Sequence, residues 1–550
     1  MATSESPALA IYGSLRATQN QGDWYGEHVG KWLGAAAKAG SRTQDNLIYE
    51  QIKSVLEVLL RAKQPDGSIS AYANTAACRY QDRQSEESRT WDVWNQANLM
   101  QGLLAVDELD PSLGAATIAY EIAHAMAQCF LESGRRLRKV GNHAGLSATV
   151  ALEPIATIAR ITNDPHLRQF SDHIVEELED SDLRFAEKCL LRADISTIGT
   201  GKIYQILWNL NGFLRYFELT TDQRFLDAAA AAYDEIKRFH LTAEGGPWGG
   251  VATHKEVFNP RGFFSPYGMV ETCSTWQWMR LSIALYQITK EVTYLDDFEQ
   301  SAFNQLLGAM HPNGEDWIYF SFPNGRRNPT YTWACCKSSG AAAWELVAES
   351  IVSAHQPNTL ALQLYEPGQW QTDIATITLS KTESEEFSYQ LDVCATEPVI
   401  VYLRVPEWCQ TMTVRQFDQV AKPKPGDRWI RQQMESGDHH LDIDFRVQPK
   451  LRAQVYSLDH HGQEIIHLDY AGIDYGPYSM ATELIDGFQR EQTVRLAKLN
   501  GSLQFQRFDE SLSLRWHRPD GSPITVQPYY RAGQSSPDGW RASWMQVAWQ

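Results

Sequence analysis

The 550-residue sequence predicts a multidomain α + β fold, a helical half closed into a ring and followed by one or two antiparallel β-sandwiches. Three observations carry this. Apolar residues recur at helical spacing from Trp24 to about Val352, a phrase that reads as a helix-hairpin turn returns three times in that stretch, and beyond His355 the pattern switches to alternation.

The helical spacing is clearest at Ile48, Ile52, Val55, Leu56 and Leu59, which put one apolar stripe on one face. The recurring phrase is Ile161-Thr-Asn-Asp-Pro-His-Leu167, then Leu219-Thr-Thr-Asp-Gln-Arg-Phe-Leu-Asp227, then Ile288-Thr-Lys-Glu-Val-Thr-Tyr-Leu-Asp296. Its starts are 58 and 69 residues apart, the length of two helices with their loops, so each copy joins the members of a helical hairpin. Stacked hairpins build an open solenoid or a closed ring. The ring is preferred because long Gly- and aromatic-rich connections, Gly245-Gly-Pro-Trp-Gly-Gly250 and Asn259-Pro-Arg-Gly-Phe-Phe264, fall where loops would gather at one end and line a cavity.

Strands follow at Leu360–Tyr365, Ile374–Leu379, Val399–Leu403 and Leu441–Phe445, separated by turn clusters such as Lys424-Pro-Gly-Asp427. The expected boundaries are an N-terminal segment over 1–20, the helical domain over 21–354 and sandwich domains, two in tandem if the last stretch forms its own, over 355–550. No low-complexity linker separates them, so docked domains are expected.

Charge and cysteine usage narrow the function. The formal charge of -18, from 49 Lys+Arg and 67 Asp+Glu, is spread along the chain and repels phosphate backbones, which argues against nucleic acid as a partner. No apolar run approaches the roughly 18 residues of a membrane span, and Met1–Gln21 lacks the pattern of an export signal. With eight cysteines, too few for a disulfide scaffold, the expected location is the cytoplasm.

One group of residues asks for a chemical explanation. Met269-Val-Glu-Thr-Cys273 runs into a helix and offers Glu271 and Cys273, and 62 residues later Trp333-Ala-Cys-Cys-Lys337 offers Cys335 and Cys336. Held in a loop ahead of a helix that starts after Gly340, both neighbouring thiols face one ion. Three sulfurs and a carboxylate suit Zn²⁺. The same residues are also compatible with cysteines buried as small hydrophobes, or with a Cys335–Cys336 disulfide. Upstream, Glu256 lies in a loop crowded with Gly, Pro and aromatics, where desolvation fits a carboxyl to donate and then accept a proton. A capping or ion-paired glutamate is the plainer reading.

These residues resemble glycoside hydrolase family 127, whose members include retaining β-L-arabinofuranosidases. The resemblance runs through Gly30-Lys-Trp-Leu-Gly-Ala-Ala-Ala37, Gln64-Pro-Asp-Gly67, the three hairpin phrases, Gly249-Gly250 with His254 and Glu256, Glu271-Thr-Cys273 and Cys335-Cys336. It implies an (α/α)6 barrel followed by β-sandwiches, a carbohydrate substrate and a homodimer. It also implies a zinc ion held by Glu271, Cys273, Cys335 and Cys336, with Cys335 as nucleophile and Glu256 as general acid/base. In a retaining scheme those two stand about 5 to 5.5 Å apart.

The sequence departs from the family where its arabinofuranosidases hold sugar hydroxyls with histidines. Two such places carry Asn98 and Lys202, and Lys337-Ser-Ser-Gly340 replaces a Pro/Asn-rich turn, so an altered sugar specificity is expected. Lys202 suits an anionic sugar, or is a solvated lysine at a helix end. His143, His254 and Trp333 complete the expected sugar contacts; Trp91, Trp94, Trp248 and Trp276 fit either stacking or core roles. A lyase or epimerase on the same barrel, and a non-catalytic sugar-binding protein with structural zinc, are the competing functions.

Overall fold

The computed structural model describes residues 26–72, 90–250, 256–327, 334–382 and 387–484, with Tyr12, Tyr80 and the shorter stretches 494–496, 506–507, 512–517, 523–534 and 539–549. Its helices of eight or more residues are α1 (Glu27–Thr43), α2 (Asn46–Ala62), α3 (Asp92–Leu109), α4 (Ala115–Ser133), α5 (Leu152–Thr162) and α6 (Pro165–Leu178). They continue with α7 (Ile203–Thr220), α8 (Gln223–Phe239), α9 (Thr272–Thr289), α10 (Thr293–Gln300), which passes into a π-helical turn at Ser301–Leu306, and α11 (Ala334–Glu349).

The recurring phrase is the hairpin joint. Asn163, Thr221 and Lys290 end α5, α7 and α9 in left-handed backbone, with φ of 54°, 61° and 63°. In the first two joints an aspartate then caps the next helix: Asp164 accepts the His166 and Leu167 N–H groups, and Asp222 that of Arg224. The α1–α2 joint uses the same chemistry, Gln44 at φ 54° and Asp45 accepting from Leu47, without sharing the phrase.

Two kinds of helix result. α3, α7 and α9 are apolar or uncharged around most of their circumference and are buried along it, whereas α2 buries only the stripe Ile52, Val55, Leu56, Leu59 and Ala62. The interior set α1, α3, α5, α7, α9 and α11 pack each on the next, and α11 packs back on α1, so the run closes on itself. α2, α6, α8 and α10 each lie against one member of this set, and α4 lies against α3 and α5. At the α1–α3 crossing the backbones touch: a Cβ at Gly30 would come 2.2 Å from the Asn98 carbonyl oxygen, and one at Gly102 would come 2.3 Å from that of Gly30.

After α11 the chain turns to strands. A four-stranded sheet runs in the order Trp429–Met434, Val399–Arg404, Thr359–Leu362, Val352–Gln356, its central pair parallel. A six-stranded antiparallel sheet runs Gln419–Ala421, Thr411–Gln416, Gly437–Arg446, Ser388–Ala395, Ala375–Lys381, Gly368–Gln371. Alternate residues of both, such as Ile377, Leu379, Leu391, Val401, Leu403 and Ile443, join the same apolar core. A third sheet contains the long hairpin Lys450–His460/Gln463–Tyr475 and takes in Asn324–Arg326 of the helical part, paired antiparallel with Trp540–Ala542. The molecule is thus a mixed helix-and-sheet protein with several antiparallel sheets, docked on its helices. Among the described residues no helix is long and apolar enough to cross a membrane.

Candidate functional site

Several interior helices begin at the same place. A short antiparallel sheet of β1 (Trp248–Gly249), β2 (Met269–Glu271) and β3 (Phe320–Ser321) sets Glu271 opposite Phe320. α9 then starts at once, with the Thr272 N–H donating to the Tyr319 carbonyl at 3.1 Å and its hydroxyl to that of Ile318 at 2.7 Å. Cys273 therefore sits in the first turn of α9.

Cys335 and Cys336 sit in the first turn of α11, which begins at Ala334. This corrects the expectation of a loop with a helix starting after Gly340. Gly340 lies inside α11 because it packs against Trp317, whose indole a Cβ would meet at 2.3 Å. The cysteines thus lie where two helices direct their unsatisfied N–H groups and positive dipole ends, the setting that favours thiolates.

The four expected ligands are brought together. One donor atom each of Glu271, Cys273, Cys335 and Cys336 lies within 4.8 Å of the others, and all four residues are buried. The Cys273 and Cys336 sulfurs are 3.5 Å apart and those of Cys335 and Cys336 are 3.9 Å apart. No disulfide joins the vicinal pair, since a bonded pair would stand about 2.05 Å apart. Sulfurs held at about 2.3 Å by one tetrahedral zinc lie about 3.8 Å from each other. The donor set fits such an ion in both chemistry and spacing.

Electrostatics lead to the same fit. Burial opposes ionisation of Cys273, yet hydrogen bonds from the Cys335 and Cys336 thiols, the nearby Lys31 ammonium and the Ser339 hydroxyl at 3.2 Å hold it well below the ordinary thiol range. Cys335, whose hydrogen is engaged by Cys273, and Cys336, chiefly through burial, are both pushed well above that range. Burial, then the charges of Glu256 and Cys273, push the Glu271 carboxyl well above the usual range as well. The protein's own groups therefore stabilise one thiolate, and a bound dication would supply the charge for the remaining donors.

Lys31 is the cation the sequence reading missed. It is buried in α1, 3.9 Å from the Cys273 sulfur, 3.4 Å from Glu27 and 4.7 Å from the centroid of the Tyr204 ring. Trp94 donates its indole N–H to the same Glu27, so this tryptophan supports Lys31 from beneath. A signal existed: a lysine four residues after a glutamate, in the Gly30-Lys-Trp-Leu-Gly34 run, marks a helix packed too closely for solvated charge.

Glu256 stands beside this group. Its backbone is left-handed, φ 47°, a conformation that costs energy in a non-glycine residue and concentrates at functional sites. Its carbonyl accepts the Ile203 N–H at 3.0 Å, one carboxyl oxygen accepts the Tyr319 hydroxyl at 2.7 Å, and the other pairs with the Lys202 ammonium. Lys202, at the start of α7, is therefore not a solvated helix-end lysine; only 13% of its side chain is exposed. Tyr319, which no spacing in Trp317-Ile-Tyr-Phe-Ser321 announced, links the two parts. Its hydroxyl is pushed up by burial and then by the charges of Glu271, Glu256 and Cys335.

The remaining sugar-contact candidates fall in different places. His143, in left-handed backbone at φ 55°, contacts the Thr200 hydroxyl at 3.1 Å, two residues from Lys202. Asn98 donates to the Trp94 carbonyl at 3.0 Å and lines a crevice with Lys31, Gln101, Trp276 and Arg280. Trp91 and Trp94 pack edge-on in an aromatic cluster with Tyr204 and Trp208. His254 and Trp333 lie outside the described residues.

Residues 4–349 match the family model described as β-L-arabinofuranosidase, GH127 catalytic domain. The chain belongs to glycoside hydrolase family 127. As a member of family 127 the protein is a glycoside hydrolase. Its fold is similar to that of Ara127N-Se, a GH127 β-L-arabinofuranosidase from Geobacillus stearothermophilus T6, at 15% identity and a TM-score of 0.73 over 98% of this chain and 93% of the other. A second GH127 β-arabinofuranosidase structure aligns at 14% identity and a TM-score of 0.71, over 98% of this chain and 92% of that one. No protein with a curated description matches the sequence.

Proposed function

We propose that this family 127 enzyme is a retaining glycosidase in which the Cys335 thiolate is the nucleophile and Glu256 the general acid/base. The helical part, residues 21–354, is read as its catalytic (α/α)6 barrel and residues 355–550 as β-sandwich domains. The observation that carries the proposal is the juxtaposition of a buried Glu271, Cys273, Cys335 and Cys336 group with Glu256, through Tyr319.

In the first step the Cys335 sulfur attacks the anomeric carbon, a C–S bond forms and the C–O bond to the leaving group breaks as Glu256 protonates the departing oxygen. In the second, Glu256 takes a proton from water, whose oxygen attacks the same carbon and expels the Cys335 thiolate, so the anomeric configuration is retained. Tyr319 and Lys202 hold one carboxyl oxygen of Glu256 each, which fixes its orientation. Glu271, Cys273, Cys335 and Cys336 would hold a zinc ion, whose charge would keep the thiols deprotonated near neutral pH and make the sulfur a better leaving group.

The sugar is proposed to be one whose hydroxyls meet Lys202 and His143 rather than a full set of histidines, a furanoside of altered specificity relative to β-L-arabinofuranose. One observation favours a second reading: all four donors are buried, as in structural zinc sites. Aryl glycosides of furanoses, 6-deoxy sugars and uronic acids, assayed beside metal analysis of the same sample, separate the two. The proposal expects zinc, turnover with retained anomeric configuration by NMR, and a loss of turnover in Glu256→Gln that grows with the leaving group's need for a proton; turnover unchanged in that variant on poor leaving groups as well would leave the structural reading.

A further inference from the structure

A second donor group lies apart from the cysteine site. Asp194, ahead of the 3-10 turn Ile195–Thr197, Glu235 on α8 and His240 just past its end each bring one donor atom within 4.8 Å of the others. His240 is fully buried, with a main-chain hydrogen bond at Asn259. Its Nε2 stands 3.5 Å from Asp194 Oδ1 and 3.9 Å from Glu235 Oε1, so the ring is aimed at two carboxylates.

Arg261 donates from Nε to Glu235 at 2.6 Å and from its main-chain N–H to Asp194 Oδ2 at 3.0 Å, the Ser196 N–H donates to Asp194 Oδ1 at 3.0 Å, and the Arg192 guanidinium also acts on Glu235. Donor atoms bound at about 2.1 Å to a tetrahedral ion lie about 3.4 Å apart, close to the Nε2–Asp194 distance and about 0.5 Å shorter than the Nε2–Glu235 one.

We propose that Asp194, Glu235 and His240 bind a divalent transition-metal ion of the zinc class, at a site separate from the thiolate cluster. Imidazole and carboxylate suit such ions, Arg261 serves as the outer partner that orients both carboxylates, and Asp194, whose side chain is 24% exposed, gives the entry path. Phe258, with its ring centroid 5.2 Å from that of His240, and Arg261 belong to the segment that carries Glu256. The ion therefore fastens the acid/base segment to α8.

Cobalt(II) distinguishes the two sites on the full chain, because thiolate ligands give intense charge-transfer absorption and nitrogen and oxygen ligands do not. Expected are two equivalents of Zn²⁺ or Co²⁺ per chain, one of them spectroscopically weak. His240→Ala should lose one equivalent and keep the thiolate band; Asp194→Asn serves the same purpose should the first variant fold poorly. Two equivalents retained in either folded variant, or a wild-type chain holding only the thiolate-bound ion, would overturn the proposal. A thiolate band that never forms while one weak equivalent binds would support it and contradict the cysteine mechanism instead.

Discussion

Two clusters of buried charge in this molecule are completed in opposite ways. Where the sheets dock on α10, Arg404 is fully buried, donates to Asp296 at 2.8 Å and forms an ion pair with Glu299 at 2.5 Å, while Arg428 takes the second Asp296 oxygen and the Trp408 indole the second Glu299 oxygen. Two cations meet two carboxylates. At the cysteine site, Glu271 and three thiols share Lys31, and Lys202 is engaged by Glu256. Charge that holds a structure together carries its counterions in the chain, whereas charge gathered for chemistry leaves room for a ligand.

The sharpest way to break this comparison is at the nucleophile. Cys335→Ser should lower kcat by about 10³-fold or more in a chain that still unfolds cooperatively, both measured on the same preparation. Glu256→Gln should cost about 10²–10⁴-fold on glycosides with poor leaving groups and much less on those whose leaving group needs no protonation. At the docking cluster the outcome inverts. Arg404→Met, which leaves two carboxylates buried without their shared cation, should lose about 3–5 kcal/mol of stability in denaturant titrations with kcat per folded molecule retained.

A pH experiment sharpens the same contrast in the sheets. Burial, then the charge of Glu299, pushes the Glu366 carboxyl from 4.5 up to about 7. A folded-state value above the unfolded one means that the stabilising contribution is complete below about pH 4.5 and is lost as pH rises through 7. Glu366→Gln should remove up to about 3 kcal/mol of that dependence, read as a flatter curve of unfolding free energy between pH 5 and 8. The smallest effect expected is that of Tyr319→Phe, about tenfold in kcat, because one hydrogen bond to Glu256 is lost and the carboxyl keeps Lys202.

Much of this was legible in the sequence, where the signal is local. The hairpin joints follow from a left-handed residue and a capping aspartate side by side, and the sheets from alternation. Glu271, Cys273, Cys335 and Cys336 stood out because thiols and a carboxylate recur at short spacing in an otherwise cysteine-poor chain. Lys31 did not, because its partner Cys273 is 242 residues away and no period records such a contact. Gly340 misled for a physical reason: a glycine needed for close approach to Trp317 looks the same in sequence as a glycine that ends a helix. Lys202 looked solvated because the glutamate it pairs with arrives from a loop 54 residues on.

The most direct test of the central claim is covalent trapping. The zinc-loaded enzyme, incubated with a mechanism-based furanoside probe and digested for mass spectrometry, should carry one adduct on the peptide containing Cys335, absent after Cys335→Ser and present after Glu256→Gln if the probe needs no acid. An adduct on Glu256 or Glu271, or equal labelling of the Cys335→Ser protein, would contradict it.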